Sequence, residues 1–432
     1  LVTQETIVQT AVFRPGSSKL ISMTHLEDNT FDIIILGGGA SGLSLAYHIV
    51  QAGLKLRVLI VERDEKRTND RTWCFWESTP GPFEAAVHAH WQNISVHGEH
   101  FSKRLEITPH TYKMIRGADF YAFTTAALER HPSIVQVRGK VERLEDTEHG
   151  VRVWVNGKNF QARWAMNSIY TPRPRAELDR EGFHTLLQHF KGWMLETPTP
   201  RFDPSNATFM DFRVPQEGET RFVYVLPITS TRALVEYTLF SPALLETHEY
   251  DAGLEEYIRN VLSISEYTVQ ETEFGVIPMT DAPFLHQPSP HVMNIGTAGG
   301  CTKASTGYTF RRIQQQSAQI VHSLRQTGQP FYSRANFDRH AWMDSVMLRV
   351  LATGREDGAR FFTRLFERNP VHRVLEFLNE DTNLMDDLRL MSTVNIPVFA
   401  QAGLEVTLTN LKRALKSPGA RGSTINSRLI QD

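Results

Sequence analysis

Residues 31–62 read FDIIILGGGASGLSLAYHIVQAGLKLRVLIVE, and their order decides the fold. FDIIIL (31–36) is a short β-branched apolar run ending at glycines, the pattern of a buried strand. A helix is expected from about Ala40 to Gln51, stopped by Gly53, and LRVLIVE (56–62) follows as a second buried strand. Strand, glycine turn, helix and strand open a doubly wound parallel sheet. Gly37-Gly38-Gly39-Ala40-Ser41-Gly42 fits the spacing G-x-G-x-x-G. Gly37 permits the tight turn, Gly39 lets the backbone approach a pyrophosphate, and Gly42 brings helix and strand together. The helix N-terminus offers its free N–H groups to the phosphates. Glu62, closing the second strand, stands where a carboxylate accepts hydrogen bonds from ribose hydroxyls. The glycine pattern alone is weak; between a strand and a helix, with that acid after it, it reads as a dinucleotide site.

Further along, the text changes to short alternating strands between about 134 and 170, with a turn at Asn156-Gly157. Strand-like segments recur at 206–213, 221–226, 232–239 and 268–277. The opening style then returns: HVMNIG, a second glycine turn at Gly296-Thr297-Ala298-Gly299-Gly300, and a helix from about Tyr308 to Arg325. The expected architecture is therefore α/β, an FAD-binding Rossmann-like domain with an inserted antiparallel β-rich substrate domain and C-terminal helices; the flavoprotein hydroxylase type of that domain is what the family resemblance given below implies. Its expected bounds are an extension over 1–29, a discontinuous FAD-binding domain over 30–133 and 285–330, a substrate domain over 134–284, and a helical region over 331–432. FAD is favoured over NAD because the late glycine turn would bring backbone N–H groups to a flavin ring.

Composition narrows the function. A formal net charge of −2 gives no electrostatic footprint for nucleic acid. Cys74 and Cys301, far apart in sequence, make neither a disulfide framework nor a zinc site, and the scattered histidines lack ligand spacing, so no metal is expected. No uninterrupted apolar run reaches the ~18 residues that span a bilayer. A cytoplasmic protein, peripheral to a membrane, is the expectation. RLFERNPVHRVLEFL (364–378) is amphipathic and could dip into a membrane surface, although packing against the body is the plainer reading of its spacing.

NDRTWCFWE (69–77) crowds Arg71, Trp73, Phe75 and Trp76 into a short run, suited to lining an apolar pocket or to an ordinary core edge. In its order of motifs the chain resembles the lycopene cyclases. RTWCFW (71–76), MIRGADFY (114–121), LLQHFKGWMLET (186–197), MDFR (210–213), FVYVLP (222–227), ALVEYTLFS (233–241), TEFGVIPM (272–279) and IGTAGGCTKASTGYTF (295–310) carry the resemblance, with a fainter echo in MDDLRLMS (385–392). It implies a flavoprotein that closes β-ionone rings on lycopene, or on another acyclic or monocyclic carotenoid, without net oxidation. It also implies reduced FAD as the active form and NAD(P)H as the reductant. Catalytic acid–base work falls on Glu236. Cofactor contacts are expected at Gly37, Gly39, Gly42, Glu62, Arg71, Arg116, Gly296, Gly299, Thr306 and Gly307, and the substrate pocket at Trp73, Phe75, Trp76 and Tyr237. Many members carry two consecutive acids where this chain has Glu236-Tyr237, and His-Pro where it has Lys303-Ala304; no role passes to Lys303.

The chemistry suits a buried glutamate. An apolar alkene offers no handle but its double bonds, so ring closure needs a proton donor, a shielded carbocation and a base. Burial disfavours the carboxylate and keeps such an acid protonated near neutral pH. Glu196 and Glu273, at similar strand positions, are the fallback acids, and Asp211 could orient a partner or be structural. Two other readings share the fold: a flavin-dependent monooxygenase of a lipophilic substrate, and a carotenoid- or FAD-binding relative without catalysis.

Overall fold

The computed structural model describes residues 28–66, 68–333 and 338–416; the extension expected over 1–29 lies outside them except for its last two positions. The chain opens as expected with β1 (Thr30–Leu36), α1 (Ala40–Gln51) and β2 (Val58–Glu62). Ile33 and Ile35 point into one core and Ile34 and Leu36 into another, which is why FDIIIL is apolar throughout. Then follow β3 (Thr72–Glu77), β4 (Ala89–Trp91), β5 (Asn93–Gly98), β6 (Phe101–Glu106), β7 (Thr111–Arg116) and α2 (Gly117–Leu128). Next in chain order are β8 (Ile134–Arg138), β9 (Val141–Thr147), β10 (Gly150–Val155), β11 (Lys158–Asn167) and α3 (Arg175–Arg180).

One sheet runs β8-β2-β1-β11-β10-β9, and a late strand, β17 (Val292–Asn294) in chain order, adds to β11. β8 lies parallel to β2, and β11 parallel to β1 and β17, so residues 134–167 belong to the nucleotide sheet and not to an inserted one. The sheets therefore do not follow the expected boundary at 134. Alternation in 134–170 marks strands with one face partly exposed; it carries no information about which sheet they join.

The second sheet is built from β12 (Thr185–Glu196), β13 (Asn206–Asp211), β14 (Thr220–Pro227), β15 (Arg232–Ser241) and β16 (Thr268–Thr280). Its order is β16-β12-β15-β14-β13-β5-β6, so β5 and β6, from within 30–133, complete it. One face packs on α4 (Thr247–Asn260), through Tyr250, Leu254, Tyr257 and Ile258. The other faces the largest core, which is roofed by α7 (Gly358–Arg368) and α8 (Val371–Leu378). Helices α5 (Phe310–Thr327), α6 (Arg339–Ala352), α9 (Leu384–Met391) and α10 (Ile396–Lys416) complete the order.

A small sheet, β3-β7-β4, stands between the two bodies. Its alternation sends Trp73, Phe75 and Ile115 into the nucleotide core and Cys74, Trp76, Tyr112 and Met114 into the second. Phe361, Phe362, Leu365 and Phe366 of α7, with Val374, Leu375 and Leu378 of α8, are buried in that second core. Each such side chain contributes roughly 1.5–3 kcal/mol of burial. The amphipathic stretch 364–378 is thus a roof, and its apolar face is not available to a membrane.

Candidate active site

The glycine turns form a cradle at the N-terminus of α1. Gly37 holds φ +98°, which an L side chain rarely adopts. A Cβ at Gly42 would lie 2.0 Å from the Gly37 carbonyl oxygen, so only glycine lets the helix approach the turn. No side chain caps α1 at Gly39, and its first N–H groups stay open to an anion. Glu62 lies against the turn, accepting from the Gly38 N–H at 2.6 Å. The second glycine turn arrives at the same place: a Cβ at Gly296 would meet Ser41 Cβ at 2.7 Å. The Gly296 N–H donates to Gln316 of α5 at 2.8 Å. Uncapped helix, two close-approach glycines and an acid at the end of β2 fit the pyrophosphate and ribose of a dinucleotide.

Beyond the β3–β7 partition lies a buried acid chamber. Strand alternation on β15 turns Leu234, Glu236 and Phe240 toward the second core and Ala233, Val235, Tyr237 and Leu239 toward α4. Glu236 pairs across the sheet with Tyr224 of β14 on one side and Gly192 of β12 on the other. Gly192 is in turn opposite Glu273 of β16. With no side chain at 192, Glu273 lies over the gap, and its carboxyl interacts with that of Glu236. Glu236 is 9% exposed and Glu273 8%. Thr238 donates to Glu236 at 2.9 Å, and Thr72 of β3 donates to Glu273 at 2.7 Å. Burial, and then the charge of Glu273, pushes the Glu236 carboxyl well above the ordinary carboxylate range. Burial raises Glu273 too, while hydrogen bonds from Glu236 and Thr72 pull it back down. Two carboxyls buried side by side cannot both ionise cheaply, so the pair favours holding a proton.

An aromatic cluster adjoins the pair through Tyr224, which stands opposite Glu236. Trp76 meets Tyr308 edge-on at 5.1 Å and Phe209 at 5.8 Å; Phe209 meets Tyr112 at 5.4 Å and Tyr224 at 6.2 Å. Burial pushes the Tyr112, Tyr224 and Tyr308 hydroxyls and the Cys74 thiol upward, so all stay neutral in the physiological range. A cavity of about 10 Å³ beside Glu273 is lined by Met114, Arg116, Met194 and Leu234 among others, and one of about 30 Å³ lies between Trp76, Tyr308 and Lys303.

Several expected positions sit elsewhere. Tyr237 is on the opposite face of β15 from Glu236, packed on α4 with its hydroxyl near Arg221 at 3.4 Å, because neighbours on a strand point to opposite sides. For the same reason Trp73 and Phe75 back onto the nucleotide core, where Phe75 stacks on Phe310 at 4.8 Å; Trp76 alone of the three reaches the ring around Glu236. Arg116 is held by Asp119 at 2.8 Å and lines the cavity beside Glu273. Arg71 lies 3.9 Å from Asp70 with its side chain 65% exposed. Gly299 packs on Asn294, while Thr306 and Gly307 form a loop pressed on β12: a Cβ at Gly307 would strike Gln188 Oε1 at 2.0 Å. Thr306 Oγ1 is buried with no hydrogen-bond partner. Glu196 is exposed at its strand end, and Asp211 is bound by Arg213 and Tyr257. Lys303 is buried between Asp344 and Glu380 at 2.6 and 3.0 Å. Tyr112, Phe209, Tyr224 and Tyr308 escaped the sequence reading, although Tyr224 and Tyr308 lie within the motifs FVYVLP and STGYTF.

The family described as lycopene cyclase protein matches residues 32–403. The lycopene beta-cyclase of Pseudescherichia vulneris is 25% identical over 395 residues, covering 84% of this chain and 93% of that protein. That of Pantoea ananas is 22% identical over 417 residues, covering 88% and 98%. Among solved structures, a flavoprotein/dehydrogenase from Cytophaga hutchinsonii superposes with a TM-score of 0.60 at 9% identity, over 88% of this chain and 100% of that one. A flavin-dependent brominase superposes at 0.53 with 14% identity, over 90% and 100%. The architecture is that of the flavoproteins, and by a match running through the nucleotide sheet, the acid chamber and its roof the chain belongs to the lycopene cyclase family.

Proposed function

We propose that this protein is a lycopene cyclase that binds FAD and closes β-ionone rings on the ψ end groups of lycopene, with Glu236 as the acid. One observation carries the reading: Glu236 is buried beside Glu273 and opposite Tyr224, on the far side of the β3–β7 partition from a dinucleotide cradle, where burial raises its carboxyl. Gly37, Gly39, Gly42, Glu62 and Gly296 would hold the dinucleotide. Bound in its reduced form, kept so by NAD(P)H, the flavin supplies negative charge that favours a nearby cation.

The chain's own residues supply the rest. Glu236 gives its proton to the terminal double bond of the end group. The next double bond closes the ring on the tertiary cation so formed, and a second cation remains in the ring. Loss of the adjacent ring proton to the carboxylate leaves the β double bond. General acid help is typically worth ~10²–10⁴-fold in rate. The faces of Trp76, Tyr112, Phe209, Tyr224 and Tyr308 shield the cation and stabilise it by about 0.5–2 kcal/mol each when desolvated. The same rings keep water from adding to it.

A hydrocarbon substrate of this size dissolves in lipid, and α10 offers a surface for meeting it. Leu404, Leu408, Leu411 and Leu415 are exposed along one face of that helix, and Leu384, Met385 and Leu388 are exposed on α9. We assign the peripheral membrane contact to this row in place of 364–378. No described helix is long and apolar enough to cross a membrane.

The test is stoichiometry. The purified flavin-bound protein, reduced under anaerobic conditions and given lycopene in vesicles, should form a cyclic product of unchanged mass with no matching loss of NAD(P)H. Product formation that requires oxygen and consumes NAD(P)H one for one would make it a monooxygenase.

A further inference from the structure

Strand β12 has a hole in it at the one place where a side chain would separate two acids. Neighbouring strands lie about 4.8 Å apart, so Glu236 on β15 and Glu273 on β16 belong to strands separated by a whole strand. A side chain in the middle row normally stands between such residues. Here the middle residue is Gly192, in register with both. A methyl group at 192 would sit 2.9 Å from Glu273 Cγ and 3.2 Å from its Oε1, in the space the carboxyl group itself uses. Thr238 and Thr72 each donate to one oxygen of their own glutamate. Glu273 Oε1 is left buried without another partner. A glycine inside a strand weakens it, and an unpaired buried acceptor is costly, so both features call for a compensating contact.

We infer that Glu236 and Glu273 work as one proton-sharing pair, joined through the gap at Gly192, with Glu273 positioning the proton that Glu236 delivers. This rests on Glu236 being the cyclisation acid. Glu273 stays a carboxylate throughout. At rest its charge and its free oxygen hold the proton on Glu236. When the Glu236 O–H bond breaks and the new C–H bond forms, two negative charges face the new tertiary cation, which lowers its energy. The deprotonated pair is then a strong base because two like charges share a dry site. As the ring C–H bond breaks, its electron pair becomes the ring double bond and its proton returns to Glu236. One proton leaves and one comes back, and no electrons are transferred. The pair is thereby reset for the other end of the polyene.

Other polar and ionisable groups near the pair include Cys74 and Thr72 on β3, Tyr112 on β7, Tyr224 on β14, Thr238 on β15 and Tyr308 in the loop before α5, with Asn69, Arg116, Glu271 and Thr272 at the adjoining cavity. Burial keeps the thiol and the three phenols neutral, so they do not supply a limb in the neutral range.

The experiment is the pH dependence of lycopene conversion by the flavin-bound enzyme, for wild type, Glu236→Gln, Glu273→Gln, Glu273→Asp and Gly192→Ala. Removing the like charge lowers the proton affinity of Glu236, so Glu273→Gln should move the alkaline limb downward by about one pH unit or more. Glu273→Asp should bring the limb back toward wild type. Gly192→Ala, which keeps both acids and parts them, should move it in the same direction as Glu273→Gln. A wild-type limb in Gly192→Ala or in Glu273→Gln overturns the pair, and Gly192→Ala decides if Glu273→Gln does not fold. Full activity in Glu236→Gln is the separate result that would remove the acid itself.

Discussion

Position 236 shows how a side chain's partners set its charge. A glutamate on a strand is ordinarily solvated and ionised; here alternation turns it inward, and burial with Glu273 beside it raises its carboxyl far above the usual range. For an acid whose folded pKa is raised, the unfolded chain releases its proton first, so stability falls as pH rises above the unfolded value near 4.3. Glu236→Gln removes that cost without changing shape. Thermal melting should therefore show a gain on the order of a few °C at pH 7 and none at pH 4, with catalysis lost. Equal stability at pH 7 would mean that Glu236 is ionised in the folded protein. Much of this residue's setting was legible in the sequence. The alternation of ALVEYTLFS separates Glu236 from Tyr237 by itself, and the assignment of Tyr237 to the pocket contradicted it. What the sequence left open was burial: Glu196 and Glu273 were both expected near strand ends, yet Glu196 ends β12 exposed while Glu273 lies within β16, buried against Thr72 of β3.

At the scale of elements, the β3–β7 sheet does two jobs because a strand has two faces. RTWCFW was legible as an aromatic segment, but not that its odd-numbered rings would back the nucleotide core while Cys74 and Trp76 line the acid chamber. That depends on β7, whose Tyr112 and Ile115 repeat the same division. The glycine turns were legible down to the residue, since G-x-G-x-x-G after a strand is a local pattern with a local cause. Strand membership at 134–167 was not, because pairing is non-local. Helix α10 divides its faces as well: Ala402 and Val406 pack on α6, while Leu404, Leu408 and Leu411 are 61%, 46% and 55% exposed. Replacing these three leucines by serine should leave folding intact and cut co-flotation with lipid vesicles by roughly 10-fold or more, each buried leucine being worth roughly 1.5–3 kcal/mol. Unchanged flotation would place the membrane contact on another surface.

In the whole molecule, two bodies share one wall. The nucleotide sheet with α1, α2 and α5 makes a cradle on one side, and the second sheet with α7 and α8 makes a roofed, ring-lined chamber on the other. The spaces of about 10 and 30 Å³ beside Glu273 and Tyr308 are small against the ~300–1,000 Å³ of a ligand pocket, so the proposed cyclisation predicts that the walls part to admit a polyene. The most direct measurement is pigment analysis in bacteria that accumulate lycopene, expressing wild type or Glu236→Gln and checked for soluble, flavin-bound protein. The account predicts cyclic carotene from the wild type and retained lycopene from the variant. Lycopene persisting with flavin-bound wild-type protein, or equal cyclisation by both, would contradict it.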